Sequence, residues 1–584
     1  MRSQLLVLVL PVALAAQPVG VGVAGRSHQL QTPPAQASET KPEDRCTIEG
    51  QVFSATTGEP VKKASLILRR ADLSPNSGGA PTSYSTATDV GGSFAMKDID
   101  PGKYRLSVNR IGFVSGEYGA RGPLQSGTTL SLARGQHLQG ADFRLTPHAV
   151  ITGRVVDEDG EPVANAQVQA MRYRYTQGRK QLQPFGGSST NDLGEYRMFG
   201  LAPGRYYLSA TYRGAMMFAP TVDRSVNQQP DEDYVPVYYP GTTDPSAAAA
   251  QDVPAGGQIQ GIDFRLSKAH TVRIRGRVAN VSASGKKQAM LSLMPRDRVG
   301  FFGMNRPVSS DSTGAFEIRG IVPGSYTLTA SINDSERSFS VRQPLEVGSG
   351  NIDNLTVTIQ PGMELAGHIR VEGEAAATLS DLQVSLRTRD QNGIMFGPIP
   401  SGRVKEDGSF TLSNVSADHF NVSIFGLPEG FYVKSIRAGD DDALANGLDL
   451  SRGTVGPIDV VLGPNAGLVE GAVQNENQQP ATGATVVMIP QEKGRRDQMS
   501  YYKTMTTDQY GRFTVKSIDP GEYKLFAWED VEFGAYMDPE FVKPVESLGE
   551  SVTIREKSRE SLQLKLIPAE AASAGEKGRP IRNN

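Results

Sequence analysis

Short runs of alternating apolar and polar residues recur along most of the chain, and Gly, Pro, Asp and Asn punctuate them. One phrase, from Phe94 to Leu106, reads aromatic–x–apolar, then Pro-Gly, then Tyr-x-Leu. A period of two is typical of a half-buried β-strand. Amphipathic helical patterns do not separate these runs, so parallel βαβ units are not expected. The pattern predicts antiparallel sheets of short strands.

The same phrase occurs five times with fixed internal spacing, and each copy begins with a glycine. In four copies that glycine precedes the proline of Pro-Gly by nine residues. The fourth copy has Ala417-Asp418 in place of Pro-Gly and Phe420 in place of the tyrosine. Repetition at fixed spacing predicts one β unit per copy. The five glycines are Gly92, Gly194, Gly314, Gly408 and Gly511.

The residue types in the phrase predict its local structure. Asp89 lies three residues before Gly92, and Asp-x-x-Gly favours a turn because the carboxylate can bond its own backbone while glycine adopts positive φ. Pro101-Gly102 fits the centre of a type II turn. We therefore predict that each phrase is a β-hairpin whose Phe or Tyr, Tyr and Leu side chains face one core.

Each phrase lies between an upstream strand that contains glycine and a downstream alternating strand. We therefore predict an all-β chain of five tandem Ig-like or prealbumin-like antiparallel β-sandwich domains in an elongated array. The short junctions favour a semi-rigid rod. We number the domains as units one to five. The predicted segments are a signal peptide at 1–16, a flexible linker at 17–45, units at 46–147, 148–268, 269–361, 362–464 and 465–568, and a disordered tail at 569–584.

Composition limits the class of function. The 584 residues carry a formal net charge of −3, which gives no electrostatic footprint for nucleic acid or anionic lipid. The N-terminal run of Leu and Val after Arg2 ends in a small-x-small site and predicts a secretory signal, hence a secreted or periplasmic protein with no membrane insertion after cleavage. The single cysteine, Cys46, leaves no internal disulfide and is interpreted as an inert thiol in the first strand.

The combination of Gly in the opening strand, Asp-x-x-Gly-x-Phe and Pro-Gly-x-Tyr-x-Leu resembles the carboxypeptidase regulatory-like domain. This is a transthyretin-like β-sandwich, similar also to the Cna B-type repeats of surface proteins. The resemblance covers nearly the whole chain from Cys46 to Pro568. It implies a module that is not itself catalytic, in a tandem array of the secreted bacterial type, with a role in binding or spacing.

Two insertions are candidates for binding. The loop at 215–257 in unit two carries Tyr234, Tyr238 and Tyr239 among prolines, and long loops of this kind are often functional. These rings could stack on sugars or line a peptide groove; alternatively, they pack the loop onto its own sandwich. The loop at 437–453 in unit four carries Asp440-Asp441-Asp442, which lacks the spacing of a calcium loop and is interpreted as a solvated acidic tip.

The sequence lacks the catalytic motifs that its histidine, serine and glycine residues could have formed. The six histidines lack the spacing of a zinc peptidase, no Gly-x-Ser-x-Gly occurs, and no phosphate-binding loop is present. We predict no catalytic residues, no metal and no cofactor. The predicted function is a non-catalytic scaffold, spacer or adhesion protein of the cell envelope, with a polysaccharide or an envelope protein as partner. The alternatives are a carbohydrate-binding protein that uses the unit-two loop, and an accessory subunit of a secreted hydrolase.

Overall fold

A computed structural model describes most of the chain from residue 41 to residue 569. The signal peptide at 1–16, the linker up to residue 40, much of the unit-two loop and nearly all of the tail lie outside the described residues. The described ranges are 41–71, 83–176, 178–212, 232–279, 288–296, 307–333, 338–375, 377–389, 399–453 and 455–569.

Units one and two are built from short strands. Unit one contains Cys46–Ser54, Ser65–Arg70, Ser83–Ala87, Ser93–Ile99, Gly102–Asn109, Gly116–Glu117, Leu130–Leu132, His137–Leu138 and Phe143–Leu145. Unit two contains Ala149–Val156, Gln167–Thr176, Arg179–Ser189, Glu195–Leu201, Gly204–Thr211, Glu232–Tyr234, Val237–Tyr238, Gln251–Val253, Gln258–Ile259 and Phe264–Arg265, and Lys268–His270 leads into unit three.

Units three to five are likewise built from short strands. Unit three contains Val272–Ala279, Met290–Pro295, Val308–Ser309, Ala315–Ile321, Gly324–Asn333, Ser338–Val347, Ile352–Thr358 and Gln360–Pro361. Unit four contains Met363–Val371, Gln383–Thr388, Ser401–Arg403, Ser409–Val415, His419–Phe425, Phe431–Ala438, Asp441–Asp442, Leu448–Asp449 and Ile458–Pro464. Unit five contains Gly467–Gln474, Thr485–Pro490, Lys503–Thr506, Arg512–Ile518, Gly521–Trp528, Glu550–Ile554 and Arg559–Ile567.

Helices in the described ranges are short. The α-helical turns are Ala443–Asn446, Lys493–Arg496 and Pro539–Val542, and the 3₁₀ turns are Pro42–Asp44, Pro245–Ala247, Leu379–Asp381, Met499–Tyr501, Ala535–Met537 and Lys543–Leu548. Among these described segments, none has the length and apolar character of a membrane-spanning helix. The predicted all-β multidomain class is confirmed.

Each unit has its own hydrophobic core between two groups of strands. In unit one the core residues include Ile48, Leu66, Phe94, Tyr104 and Leu106, all buried. Corresponding cores occupy units two, three, four and five. Aromatic and leucine side chains of the repeated phrase therefore face one core, as predicted. The residue boundaries of the units stay predictions.

The repeated phrase is not a β-hairpin, which corrects that prediction. Ser93–Ile99 pairs antiparallel with Cys46–Ser54, whereas Gly102–Asn109 pairs with Ser65–Arg70 in the other sheet. The two strands that flank Pro-Gly do not pair with each other, so the dipeptide marks a corner at which the chain crosses the core. Alternation reports which side of a strand is buried, and it does not report which strand is the neighbour.

The sheets are also not wholly antiparallel. The opening strand of each unit runs parallel to its closing strand, as Cys46–Ser54 does to Phe143–Leu145 and Gly467–Gln474 does to Arg559–Ile567. Glycine in the opening strand permits the close approach of the closing strand. A Cβ on Gly153 would collide with the carbonyl oxygen of Ile262 and would lie 3.0 Å from the Tyr196 ring. The glycine in this strand is therefore a packing requirement.

The Asp-x-x-Gly turn forms as predicted. The Asp89 carboxylate accepts hydrogen bonds from the backbone N–H groups of Gly91, at 2.9 Å, and Ser93, at 2.8 Å. Gly92 adopts a φ of +75°, which L side chains rarely adopt. The five template glycines all have φ between +72° and +84°. This turn delivers the chain into the strand that precedes each corner.

The fifth unit contacts the first, so the two ends of the array meet and the units do not form the straight rod that the short junctions favoured. Ser131 and Gln509 form a reciprocal pair: the Ser131 N–H donates to Gln509 Oε1 at 3.2 Å, and Gln509 Nε2 donates to the Ser131 carbonyl at 2.9 Å. Arg121 forms an ion pair with Glu529, and Thr129 forms a parallel β-bridge with Asp508. These contacts join residues more than 350 positions apart in the chain.

Unit five also packs on unit two through the segment that follows Trp528. The Tyr175 ring meets the Phe541 ring edge-on at 6.0 Å between centroids, and the Tyr175 N–H donates to Glu532 Oε1 at 3.3 Å. This segment forms a second hydrophobic cluster in unit five that includes Trp528 and Tyr536. The extra cluster gives unit five a surface for unit two.

Polar contacts also fix the successive units three, four and five. Arg342 in unit three pairs with Asp418 in unit four at 3.1 Å. The Tyr432 hydroxyl in unit four donates to Glu556 Oε1 in unit five at 2.8 Å, and Lys434 lies 3.4 Å from the same carboxylate. Together with the contacts of unit five to units one and two, these interactions arrange the sandwiches around a common centre.

Candidate functional site

The predicted tyrosine cluster does not form an exposed platform. Tyr238 is buried at 4% exposure and packs with Met171 and Leu182. Tyr239 is half-buried and its ring lies 6.2 Å from the buried Phe264 ring. The structure therefore shows the alternative arrangement for these two residues, in which they pack onto their own sandwich. A role for either in ligand binding stays a prediction.

Tyr234 lies at a strand that joins the loop to the start of unit three. It pairs in register with Lys268, whose ammonium lies 5.2 Å from the Tyr234 ring centroid. The Tyr212 ring meets the same ring edge-on at 5.7 Å. Burial raises the pKa of Tyr234, and the nearby Glu158 carboxylate adds to the increase. These contacts give Tyr234 a structural role at the junction. Its role in ligand binding stays a prediction.

The acidic tip of unit four caps a helical turn. Asp442 accepts hydrogen bonds from the N–H groups of Leu444 and Ala445, both at 3.1 Å, at the start of Ala443–Asn446. Asp440 and Asp441 are exposed to solvent. Within the described residues, no group of His, Cys, Asp and Glu side chains is arranged to hold a metal ion.

Cys46 lies at the start of the first strand and is fully buried. Its thiol donates to the carbonyl of Ala133 at 3.0 Å. Burial and this hydrogen bond fit the interpretation of an inert thiol, since reactive cysteines are accessible and lie in electropositive surroundings.

The arrangement of the units creates a cavity of about 690 Å³ that units two, three, four and five share. We call it the central cavity. Its lining is almost wholly polar, with Met537 and Pro344 as the exceptions. The lining residues are Thr176, Arg179 and Gln181 from unit two, Arg296, Thr327, Arg342, Gln343 and Pro344 from unit three, Arg389, Asp418 and Asn421 from unit four, and Arg496, Asp497, Gln498 and Met537 from unit five.

Arginine dominates the charge of the central cavity. Five arginines face two aspartates, a formal excess of three positive charges in the lining. Arg342 pairs with Asp418 across the unit boundary, and Arg296 pairs with Glu346. Guanidinium groups that converge from separate units repel one another, and an anion placed between them relieves that repulsion.

The remaining three arginines have no carboxylate partner among the described residues. Arg389 donates to the carbonyl of Asn446. Arg496 donates to the carbonyl of Pro490 at 3.0 Å and to Gln491 Oε1 at 2.8 Å. The Arg179 side chain, next to the turn at Gly178, makes neither a hydrogen bond nor an ion pair with the described part of the chain. These groups retain donors for an anionic ligand.

No sequence pattern predicted the central cavity. Its five arginines occupy unrelated positions of four units, and none belongs to the repeated phrase. Only the contacts of unit five with unit two and of unit three with unit four bring them together.

Residues 47–146 and 150–235 each match the family model of the carboxypeptidase regulatory-like domain. The family match thus covers two tandem copies, in units one and two. In units three to five, too, the strands before and after the corner pair with different strands. No curated protein matches the chain.

Several solved structures match the chain at low sequence identity. The Bacillus anthracis TIE protein matches at 10% identity over 91% of this chain and 76% of its own, with a TM-score of 0.13. BcpA, the major pilin subunit of Bacillus cereus, matches at 9% identity over 89% and 99%, with a TM-score of 0.13. GBS52, the minor pilin of Streptococcus agalactiae, matches at 12% identity over 38% and 96%, with a TM-score of 0.21. We base no conclusion about function on these likenesses.

Proposed function

We propose that this chain, whose first two units are carboxypeptidase regulatory-like domains, is a non-catalytic, exported binding protein of the cell envelope. Its sandwiches act as a scaffold that frames one binding cavity. The observation that carries the proposal is the central cavity, to which units two to five all contribute lining residues. A cavity of this volume falls in the range of about 300–1,000 Å³ that is usual for ligand sites.

Rigid supports favour binding over simple spacing. A binding site is most effective when its side chains are held before the ligand arrives, because less conformational entropy is lost on binding. The Arg342–Asp418 pair and the Tyr432–Glu556 hydrogen bond would hold the cavity walls in place. A protein that serves only as a spacer would need neither these contacts nor an excess of arginine at the centre.

The absence of recognisable catalytic motifs supports the non-catalytic part of the proposal, and so does the regulatory-like domain in units one and two. Export rests on the N-terminal sequence pattern alone. The central cavity supports a binding site at a place other than the unit-two loop, and we therefore propose the cavity, instead of the tyrosines, for the carbohydrate-binding alternative.

Co-sedimentation with purified cell envelopes tests the proposed function. The mature chain, without residues 1–16, is mixed with an envelope fraction and the bound share is measured. We expect the wild-type chain to be retained and Arg179→Gln to reduce retention. Arg197→Gln is the matched control, because Arg197 is an exposed arginine of the same unit that does not line the cavity. Equal retention of both variants, or hydrolysis of envelope material by the pure chain, would contradict the proposal.

A further inference from the structure

We infer that the central cavity binds an acidic saccharide, that is, a chain of sugars that carry carboxylate or phosphate groups. This inference rests on the proposed binding function and names its ligand class. Three features support it: the charge of the lining, the neutral hydrogen-bonding groups of the lining and the size of the cavity.

The distribution of positive charge in the lining favours an anion with more than one negative group. The lining arginines come from four separate units, so a single small anion could contact only some of them. Arg179 belongs to unit two, Arg389 to unit four and Arg496 to unit five, so these three arginines lie on different walls of the cavity. Arginine presents a planar fork of N–H donors that matches both carboxylate and phosphate. A ligand with several acidic groups along its length would satisfy the walls together.

Uncharged polar side chains line the cavity together with the arginines. Gln181, Gln343, Asn421 and Gln498 offer both donors and acceptors, and Thr176 and Thr327 offer hydroxyls. Sugar hydroxyls also donate and accept, so these side chains suit the ring substituents of a saccharide. A lining with both charged and neutral polar groups suits a polymer that carries both acidic groups and hydroxyls.

The lining disfavours two other ligand classes. Single-stranded nucleic acids bind largely by stacking their bases on aromatic side chains, and the cavity lining includes no aromatic residue among the described ones. Neutral sugars would lack a stacking surface for the same reason, and they would leave the arginine charges unpaired. An acidic saccharide uses the groups that the lining provides.

Calorimetric titration of the mature full-length chain with defined probes tests the inference. The probes are short oligogalacturonates, a phosphorylated oligomannose, neutral maltooligosaccharides and inorganic phosphate. We expect at least one of the two acidic saccharides to bind, with an affinity that falls as salt rises. The comparison of oligogalacturonate with phosphorylated oligomannose identifies the acidic group.

Variants locate the site. Arg179→Gln should weaken binding of the acidic saccharide about tenfold, as expected for loss of one charge-assisted hydrogen bond. Arg197→Gln should leave the affinity unchanged. The Arg179 side chain makes no hydrogen bond or ion pair with the described residues, so its replacement removes no such interaction. Circular dichroism would verify the fold. The double variant Arg389→Gln/Arg496→Gln should weaken binding further, against the double control Arg403→Gln/Arg555→Gln, whose sites are exposed and outside the lining.

Several outcomes would overturn the inference. The first two are equal affinity for maltooligosaccharides and acidic saccharides, and no binding of either acidic saccharide. The other two are binding of inorganic phosphate as tight as that of the acidic saccharides, and an affinity for acidic saccharide that Arg179→Gln does not change. If envelope retention still depends on Arg179 in any of these cases, the ligand class is wrong while the proposed binding function stands. If envelope retention is also independent of Arg179, both are wrong.

Discussion

The phenolic hydroxyl of Tyr523 donates a 3.0 Å hydrogen bond to the backbone carbonyl of Asp519, four residues earlier in the chain. Tyrosines of units one, two and three make the same bond, from Tyr104 to Asp100, Tyr206 to Ala202 and Tyr326 to Val322. It ties the returning strand to the residue before Pro-Gly and so fixes the corner between the two sheets, as in the tyrosine corner of immunoglobulin-type sandwiches. Unit four has Phe420 at this position and lacks Pro-Gly as well.

Loss of the corner hydrogen bond should destabilise its unit. In Tyr206→Phe the ring still fills the core, but the buried carbonyl of Ala202 loses its 2.6 Å donor. We expect unit two to lose about 1 kcal/mol of stability, measured by hydrogen exchange of unit-two amides in the full chain. Tyr510→Phe is the control, because Tyr510 is 53% exposed. Unchanged exchange in Tyr206→Phe would show that the hydroxyl does not stabilise the corner.

A methyl group on the glycine of an opening strand should be far more damaging. Gly153→Ala would force the parallel closing strand away, since the new Cβ meets the carbonyl of Ile262. We expect about 3 kcal/mol of destabilisation in unit two, at the upper end for overpacking, measured by denaturant unfolding with unit-two exchange as the local probe.

Gly348→Ala provides the control for that substitution. Its Cβ would have no neighbour within 4 Å and its φ lies outside the left-handed region. We expect no loss of stability from it. Equal effects of the two substitutions would mean that the close approach of the strands is not what requires glycine at residue 153.

Ionisation of Asp519 should oppose folding of unit five near neutral pH. Burial raises the pKa of the Asp519 carboxyl, an effect that the charges of Lys503 and Arg495 only partly offset. A carboxyl whose pKa is raised on folding binds its proton more tightly in the folded state, so stability falls as pH rises from the unfolded pKa through the folded one.

Asp519→Asn therefore should stabilise unit five near neutral pH, and the gain should vanish below the ordinary Asp pKa of about 3.9. Hydrogen exchange or urea unfolding at both pH values measures the difference. Asp192→Asn, at an exposed position of unit two, should show no such pH dependence. A gain of the same size at both pH values would argue against burial of the charge as its cause.

The local structure of each repeat was predictable because it depends on residues close together in sequence. The Asp89 turn and the positive φ of Gly92 follow from side-chain chemistry within five positions. The burial of Phe94, Tyr104 and Leu106 follows from alternation. Strand partners were less predictable: the assumed hairpin at Pro101 is a crossing between sheets, because alternation is the same in both cases.

Contacts between distant units could not be predicted at all. Ser131 and Gln509 belong to different units and neither occupies a template position that suggests an interface. The candidate binding residues are therefore the cavity arginines and no longer the tyrosines of the unit-two loop. A tyrosine ring is amphipathic and serves packing as well as binding, and Tyr238 is buried. The cavity arginines were unremarkable in sequence because their significance depends entirely on the meeting of the units.

The account depends most on the contact between unit one and unit five, and a designed disulfide tests it directly. Thr129 and Asp508 are partners in a β-bridge, so their Cα atoms lie about 5 Å apart, within the range for a disulfide. We predict that Thr129→Cys/Asp508→Cys forms an intrachain disulfide in dilute solution under mild oxidation, seen by non-reducing electrophoresis and peptide mass spectrometry; the buried Cys46 should not compete. A double variant that stays reduced, while both single variants remain folded, would contradict the closed arrangement and the central cavity with it.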